Sequence, residues 1–156
     1  MADIADPENT LLMATAHGAV VILLRPDLAP IHVARIKELA RRGFYDGVVF
    51  HRVIDGFMAQ TGDPTGSGTG GSGKRLKAEF TREPHVRGTC SMARATDPNS
   101  ADSQFFICFD DAGFLDGKYT VWGRVVAGME AIDRVKRGEP VKSPDRIVSL
   151  KVAADA

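Results

Sequence analysis

The segment Phe50-His51-Arg52-Val53-Ile54-Asp55-Gly56-Phe57-Met58-Ala59-Gln60 gathers a permanent cation, a side-chain amide and two large apolar side chains around one Asp-Gly turn. That mixture is odd for a plain hairpin. Arg52 offers several directed N–H donors and keeps its charge at any working pH, while Gln60 both donates and accepts hydrogen bonds. A second segment, Ser103-Gln104-Phe105-Phe106-Ile107-Cys108-Phe109, alternates with the period of a strand. Phe105, Ile107 and Phe109 fall on one face, which reads as core. Gln104, Phe106 and Cys108 fall on the other, which reads either as the wall of a partly exposed pocket or as a second layer packed under a loop.

Other chemistries suggested by the residue pattern fail on context. Gly68-Thr69-Gly70-Gly71-Ser72-Gly73 fits a dinucleotide-binding glycine pattern, and Gly68 to Lys74 fits the start of a phosphate-binding P-loop. Arg75 stands where that loop needs Ser or Thr for magnesium, and Thr61-Gly62-Asp63-Pro64-Thr65 ahead of it is turn chemistry, not a buried strand. Pro84 cuts off any long helix whose N-terminus could meet a phosphate. A mobile surface loop is the reading that remains. Ser72 lacks the glycine spacing of a nucleophile elbow, and His17, His32, His51 and His85 sit at no metal-ligand spacing. Structural or surface roles are expected for these histidines, with His51 singled out because it lies inside the first segment. No metal and no cofactor is expected.

The elements that position these residues are legible in outline. Leu11–Thr15 and Ala19–Leu24 flank His17-Gly18 as two strands meeting at a tight turn. Pro30 fits the first turn of a helix carrying Val33, Ile36, Leu39 and Ala40 on one face and closed near Gly43, with Arg35, Lys37, Glu38 and Arg41 as its wet side. Met129, Ile132 and Val135 mark a second helix between Gly128 and Gly138. Short apolar runs at Val48–Ile54, Thr89–Arg94, Gln104–Phe109, Thr120–Val126 and Ile147–Val152 complete the pattern. Many short strands with only two helices favour an antiparallel sheet closed on itself over a doubly wound one.

Composition narrows the function. With 156 residues and 44% hydrophobic content the chain suits a single domain, 1–156, with residues 1–9 as a flexible tail. Twenty Lys+Arg balance twenty Asp+Glu, so the excess of cations needed to grip phosphate backbones is missing and nucleic acid is not expected as a partner. Cys90 and Cys108 are too few for a disulfide framework and read as reduced, buried thiols. Acidic residues near the N-terminus and a broken apolar stretch show neither export signal nor membrane span, so the expectation is a cytoplasmic protein that does not engage membranes.

Taken together, FHRVIDGFMAQTGD from Phe50 to Asp63, SMAR and SQFFI between Ser91 and Ile107, and FLDGKYTVWGRV from Phe114 to Val125 strongly resemble the cyclophilins. The likeness runs over nearly the whole chain. It implies a mainly β fold, a closed eight-stranded antiparallel β-barrel capped by two α-helices, with a packed interior and the active groove on its outer face. It further implies peptidyl-prolyl cis-trans isomerase activity on Xaa-Pro bonds of proline-containing peptides and folding polypeptides. Arg52 matches the family's catalytic position. Phe57, Met58, Phe106 and Leu115 match the cup for the proline ring, Gln60 and Gln104 match positions that hold the substrate backbone, and Ala93 matches a strand position that contacts the peptide main chain.

Three positions depart from the best-known eukaryotic pattern. Arg94 replaces an Asn, and its side chain would favour acidic residues near the proline. Phe114 replaces a Trp associated with cyclosporin recognition, and Tyr119 replaces a His at the pocket edge. The aromatic wall is kept but the indole N–H is lost, so weakened cyclosporin binding is expected. A monomer suffices for all of this. The competing reading is a proline-peptide binding module or chaperone that uses the same groove without turnover.

Overall fold

A computed structural model describes residues 5–156; part of the expected N-terminal tail, residues 1–4, lies outside the described residues. The remainder of that tail holds a short 3-10 turn, Pro7–Asn9, whose Glu8 pairs with Lys37 and Arg41. The opening hairpin joins β1 (Thr10–Thr15) to β2 (Gly18–Leu24), and α1 (Pro30–Arg41) follows. The chain then forms β3 (Arg52–Ile54), β4 (Met58–Thr61), β5 (Thr89–Met92), β6 (Phe105–Cys108), β7 (Val121–Ala127), α2 (Met129–Asp133) and β8 (Ile147–Val152). All ladders are antiparallel, in the order β3-β4-β6-β5-β7-β2-β1-β8.

The eight-stranded, mainly β architecture with two helices matches the expectation, but the closed barrel does not. The sheet is open, ending at β3 on one side and β8 on the other. The outer edge of β3 is already occupied: Val53 exchanges backbone hydrogen bonds with Gly138, and Val141 donates to the His51 carbonyl. The two ends of the sheet approach each other through residues 47–50, where the Val49 to Arg146 bridge is flanked by backbone hydrogen bonds from Gly47 to the Ile147 carbonyl, from Ile147 to the Val48 carbonyl and from Phe50 to the Asp145 carbonyl. A strand beginning at Val48 is therefore reduced to Arg52–Ile54, and the second helix stops at Asp133 because the chain must turn to lay Gly138 beside Val53.

Alternation places the core as the sequence indicates. Leu11, Met13, Ile22 and Leu150 point inward from their strands and meet Val33, Ile36 and Leu39 from one face of α1. Tyr45, Phe105 and Trp122 fill the middle edge-to-face, with ring centroids 5.5 and 5.2 Å apart. Tyr45 is fully buried and its hydroxyl donates to the Ser103 carbonyl at 2.9 Å. Cys90 and Cys108 are free and buried.

Two local features depart from the sequence reading. Arg35, expected on the wet side of α1, is buried because the glycine-rich segment folds over that face: its Nη2 donates to Ser72 Oγ at 2.9 Å and its Nη1 pairs with Glu38. The glycine segment lies at the surface but is tied down, contrary to the expected mobile loop. Asp63 accepts the amides of Gly68 and Gly70 at 2.6 and 3.1 Å, and Asp102 accepts those of Ser72 and Gly73 at 2.8 and 3.0 Å. No helix follows this segment among residues 74–88, so a nucleotide phosphate would meet no helix N-terminus there.

Candidate functional site

The turn at Asp55-Gly56 pairs β3 with β4 so that Arg52 stands directly opposite Gln60. β6 lies on the other side of β4, with Gln60 opposite Phe106. This register brings the cation, the amide and the aromatic ring together on the face of the sheet away from the core. Arg52 Nη1 donates to Gln60 Oε1 at 3.2 Å, Gln60 Nε2 donates to Gln104 Oε1 at 2.9 Å, and Gln104 Nε2 donates to the carbonyls of Gly68 and Gly70, each at 3.0 Å. The guanidinium is thus oriented through two amides that are anchored in turn on the glycine segment. Its Nε reaches Glu139 Oε2 at 3.4 Å, whereas Asp55 pairs with Arg137 and Asp63 serves the glycine loop.

Beside Arg52 lies a shallow depression lined by Phe57, Met58, Gln60, Ala93, Arg94, Phe106, Phe114, Leu115 and Tyr119. Ten of the eleven residues that the resemblance assigns to the site therefore line one depression. Gln104 lines an adjoining depression, which shares Gln60, Ala93 and Arg94 with the first. Met58, Phe106 and Leu115 form the buried floor over Cys108 and Ala112, a small apolar cluster separate from the main core. Both readings of the outer face of β6 thus apply, since Phe106 is packed in a second layer and also lines a depression. Phe114, 65% exposed, forms an outer wall against Phe57 at 5.5 Å between ring centroids. Tyr119 meets Phe106 edge-on at 5.8 Å. Ala93 lies one residue beyond β5 and donates its amide to the Gln104 carbonyl at 3.0 Å.

Several residues important to this geometry were not distinguished by the sequence. The buried His85 ring stacks beneath Phe106, its Nδ1 2.9 Å from Asp116 Oδ1 and its Nε2 2.9 Å from Ser91 Oγ. An ionised carboxylate only accepts, so Nδ1 carries the proton. Burial pushes the imidazole pKa below its ordinary value, against the opposing pull of Asp116. Asp63 shows the reverse balance: burial pushes its carboxyl up, but hydrogen bonds from Thr65, Gly70 and Gly68 outweigh it and hold the pKa at about 2. Glu139 carries no sequence signal, because 87 positions separate it from Arg52. His51, also singled out, is buried with its Nδ1 unpartnered in the structure, and its ring edge faces Gly68.

Among the described residues no three His, Cys, Asp or Glu side chains group as a metal site would require. No helix among them is long and apolar enough to cross a membrane. The site therefore offers a fixed cation, a pair of amides and an apolar cup, which together suit a ring-shaped apolar group next to a polar backbone.

Comparison with known proteins agrees with this geometry. Residues 10–152 match the family model described as cyclophilin type peptidyl-prolyl cis-trans isomerase/CLD. The chain is 54% identical over 171 aligned positions to a Brucella suis protein named "Probable peptidyl-prolyl cis-trans isomerase", covering 99% of this chain and 87% of the relative. It is 41% identical over 145 positions to the peptidyl-prolyl cis-trans isomerase of Synechococcus elongatus, covering 93% and 97%. A cyclophilin crystal structure from Hirschia baltica superposes with a TM-score of 0.89 at 33% identity, covering 97% of this chain and 76% of that one. A Cryptosporidium parvum cyclophilin type isomerase, solved in the presence of the dipeptide Ala-Pro, gives 0.85 at 28% identity, covering 92% and 98%. The chain belongs to the cyclophilin-type peptidyl-prolyl cis-trans isomerases, and its activity is rotation about Xaa-Pro peptide bonds.

Proposed function

We propose that Arg52 is the catalytic group of this isomerase and that Phe57, Met58, Phe106 and Leu115 hold the substrate's proline ring. Rotation about a peptide bond faces a barrier of about 18–20 kcal/mol because conjugation gives the C–N bond partial double-bond character. Before proline the two isomers lie close in energy, yet they exchange over tens to hundreds of seconds. No bond has to break. The catalyst must bind the twisted amide more tightly than either planar form. In that twisted state the proline nitrogen becomes pyramidal and exposes a lone pair, to which a fixed N–H donor of permanent positive charge is complementary.

The observation that carries this reading is the chain Arg52–Gln60–Gln104, which orients the guanidinium at the rim of an apolar cup. The cup grips the ring, Gln60, Gln104 and the Ala93 carbonyl hold the peptide backbone, and the acyl side is left free to turn. Proline-containing peptides and folding polypeptides are the substrates, as the Ala-Pro dipeptide used with the Cryptosporidium parvum relative supports. The whole chain acts as one domain and as a monomer, without metal or cofactor. Its unpaired thiols favour a cytoplasmic setting. A protease-coupled isomerisation assay on a short Xaa-Pro peptide tests the reading: binding without acceleration would make the groove a peptide-docking module instead.

A further inference from the structure

The cup and the adjoining depression meet at Arg94, which lines both. Its guanidinium is held in one orientation: Nε donates to the Lys118 carbonyl at 3.0 Å, and Nη1 donates to the carbonyls of Ala95 and Thr96 at 2.9 and 3.3 Å. The guanidinium carbon lies 4.6 Å from the centre of the Tyr119 ring and 5.8 Å from that of Phe80. No carboxylate among the described residues pairs with Arg94, and its Nη2 makes no hydrogen bond there. Neutral carbonyls and aromatic faces fix the group without cancelling its charge.

The second depression is lined by two guanidinium groups, Arg94 and Arg75, against one carboxylate, Asp102. Arg75 lines it and has only a 3.9 Å pairing with Asp97, both side chains being more than half exposed. Asp102, the carboxylate on its wall, is already engaged by the Ser72 and Gly73 amides and by the Ser72 hydroxyl. Arg94 and Arg75 thus outnumber the single carboxylate that lines the space beside the proline cup.

We propose that Arg94, assisted by Arg75, makes this isomerase select prolyl bonds that have an anionic side chain, carboxylate or phosphorylated hydroxyl, within a few residues of the proline. The inference rests on the isomerase reading of the same groove and adds a substrate class to it. A preoriented guanidinium loses little side-chain freedom on meeting an anion, and one free N–H-bearing nitrogen is directed donor enough for a carboxylate oxygen.

The test uses the full chain and short prolyl peptides carrying Glu or Gln, and phosphoserine or serine, at single positions before and after the proline. Rates and calorimetric affinities are read as Glu/Gln and phosphoserine/serine ratios. At one position or more, the Glu/Gln ratio should be about two- to fivefold at low salt and should approach one when salt shortens the screening length to a few ångströms. R94Q should bring that ratio close to one, and R75Q should lower it partway; a general loss of activity cancels because each ratio is taken within one variant. Phosphoserine exceeding Glu would assign the preference to phosphorylated chains, and the reverse order to acidic sequences. Ratios of one throughout the wild-type protein, or a preference that survives in the R94Q/R75Q double variant, overturn the proposal. An all-alanine prolyl peptide left unaccelerated would instead fail the isomerase reading, and the calorimetric ratios would still decide the selectivity.

Discussion

Replacing Arg52 by alanine removes the cation that Gln60 orients at the rim of the cup while leaving the apolar walls of the cup in place. A hydrogen bond from a charged donor is worth about 1.5–3 kcal/mol. Arg52 is 44% exposed in the free protein, which weakens its field, and a peptide seated in the cup would cover it and strengthen that field. A loss of about 2–3 kcal/mol in the transition state is the result, or roughly 30- to 150-fold in kcat/KM. Because the interaction strengthens only as the amide twists, the fall should appear mainly in kcat. Stability should hardly change, since the ion pair with Glu139 is exposed on both sides and contributes under about 1 kcal/mol. Arg52→Lys keeps the charge but not the planar fork, and should recover only part of the activity. The assay is proteolysis-coupled isomerisation of an Ala-Pro peptide, with circular dichroism and thermal melting as controls on the fold. An Arg52→Ala protein that melts like the wild type and still isomerises at more than about half its rate would refute the assignment.

Further outcomes follow from the same geometry. Cyclosporin should inhibit this isomerase weakly, and Phe114→Trp, which restores an indole N–H on an exposed wall, should tighten inhibition by about three- to tenfold; nanomolar inhibition of the unaltered protein would contradict this. Burial holds the His32, His51 and His85 imidazoles below their ordinary pKa, so the unfolded chain binds more protons as pH falls past about 6.5. Stability is therefore present above that pH and lost below it, and melting curves from about pH 7.5 to about pH 5.5 should show a falling midpoint. Asp63 adds a second, more acidic loss, because stability from its depressed carboxyl disappears as pH falls from its ordinary 3.8 towards about 2. Gly70→Ala would drive a Cβ into the Asp63 carboxylate and the Thr65 side chain, so it should lower the melting temperature and, through Gln104, reduce kcat/KM; unchanged values for both would remove the glycine segment from the support of Arg52.

Reading the sequence was most successful where the signal is local. The alternation of Phe105, Ile107 and Phe109 against Phe106 and Cys108 needed only the two-residue period of a strand, and the two sets do enter different apolar clusters. The opening hairpin and the start of α1 rest on a turn and on Pro30, which act within a few residues. Other features depend on contacts between distant segments and left no pattern to find. Glu79 accepts the amides of Ile31 and His32 at 3.1 and 2.8 Å and so caps α1 from 47 or more positions away. The four residues of β4 include Gln60 and are too few to display a strand period.

The residue types around Arg52, and their resemblance to a known family, were enough to name the chemistry: a cation, two amides and an apolar cup are properties of side chains, and the motifs carrying them are long. What the sequence left undecided was pairing. Whether the sheet closes depends on which segment occupies the outer edge of β3, and Gly138 occupies it. Whether Arg35 is wet depends on where the glycine segment folds, and whether Arg94 keeps its charge unpaired depends on which carbonyls and rings surround it. Covalent order fixes which groups exist along the chain. Only the free energy of the assembled fold, summed over contacts far apart in sequence, fixes which of them meet.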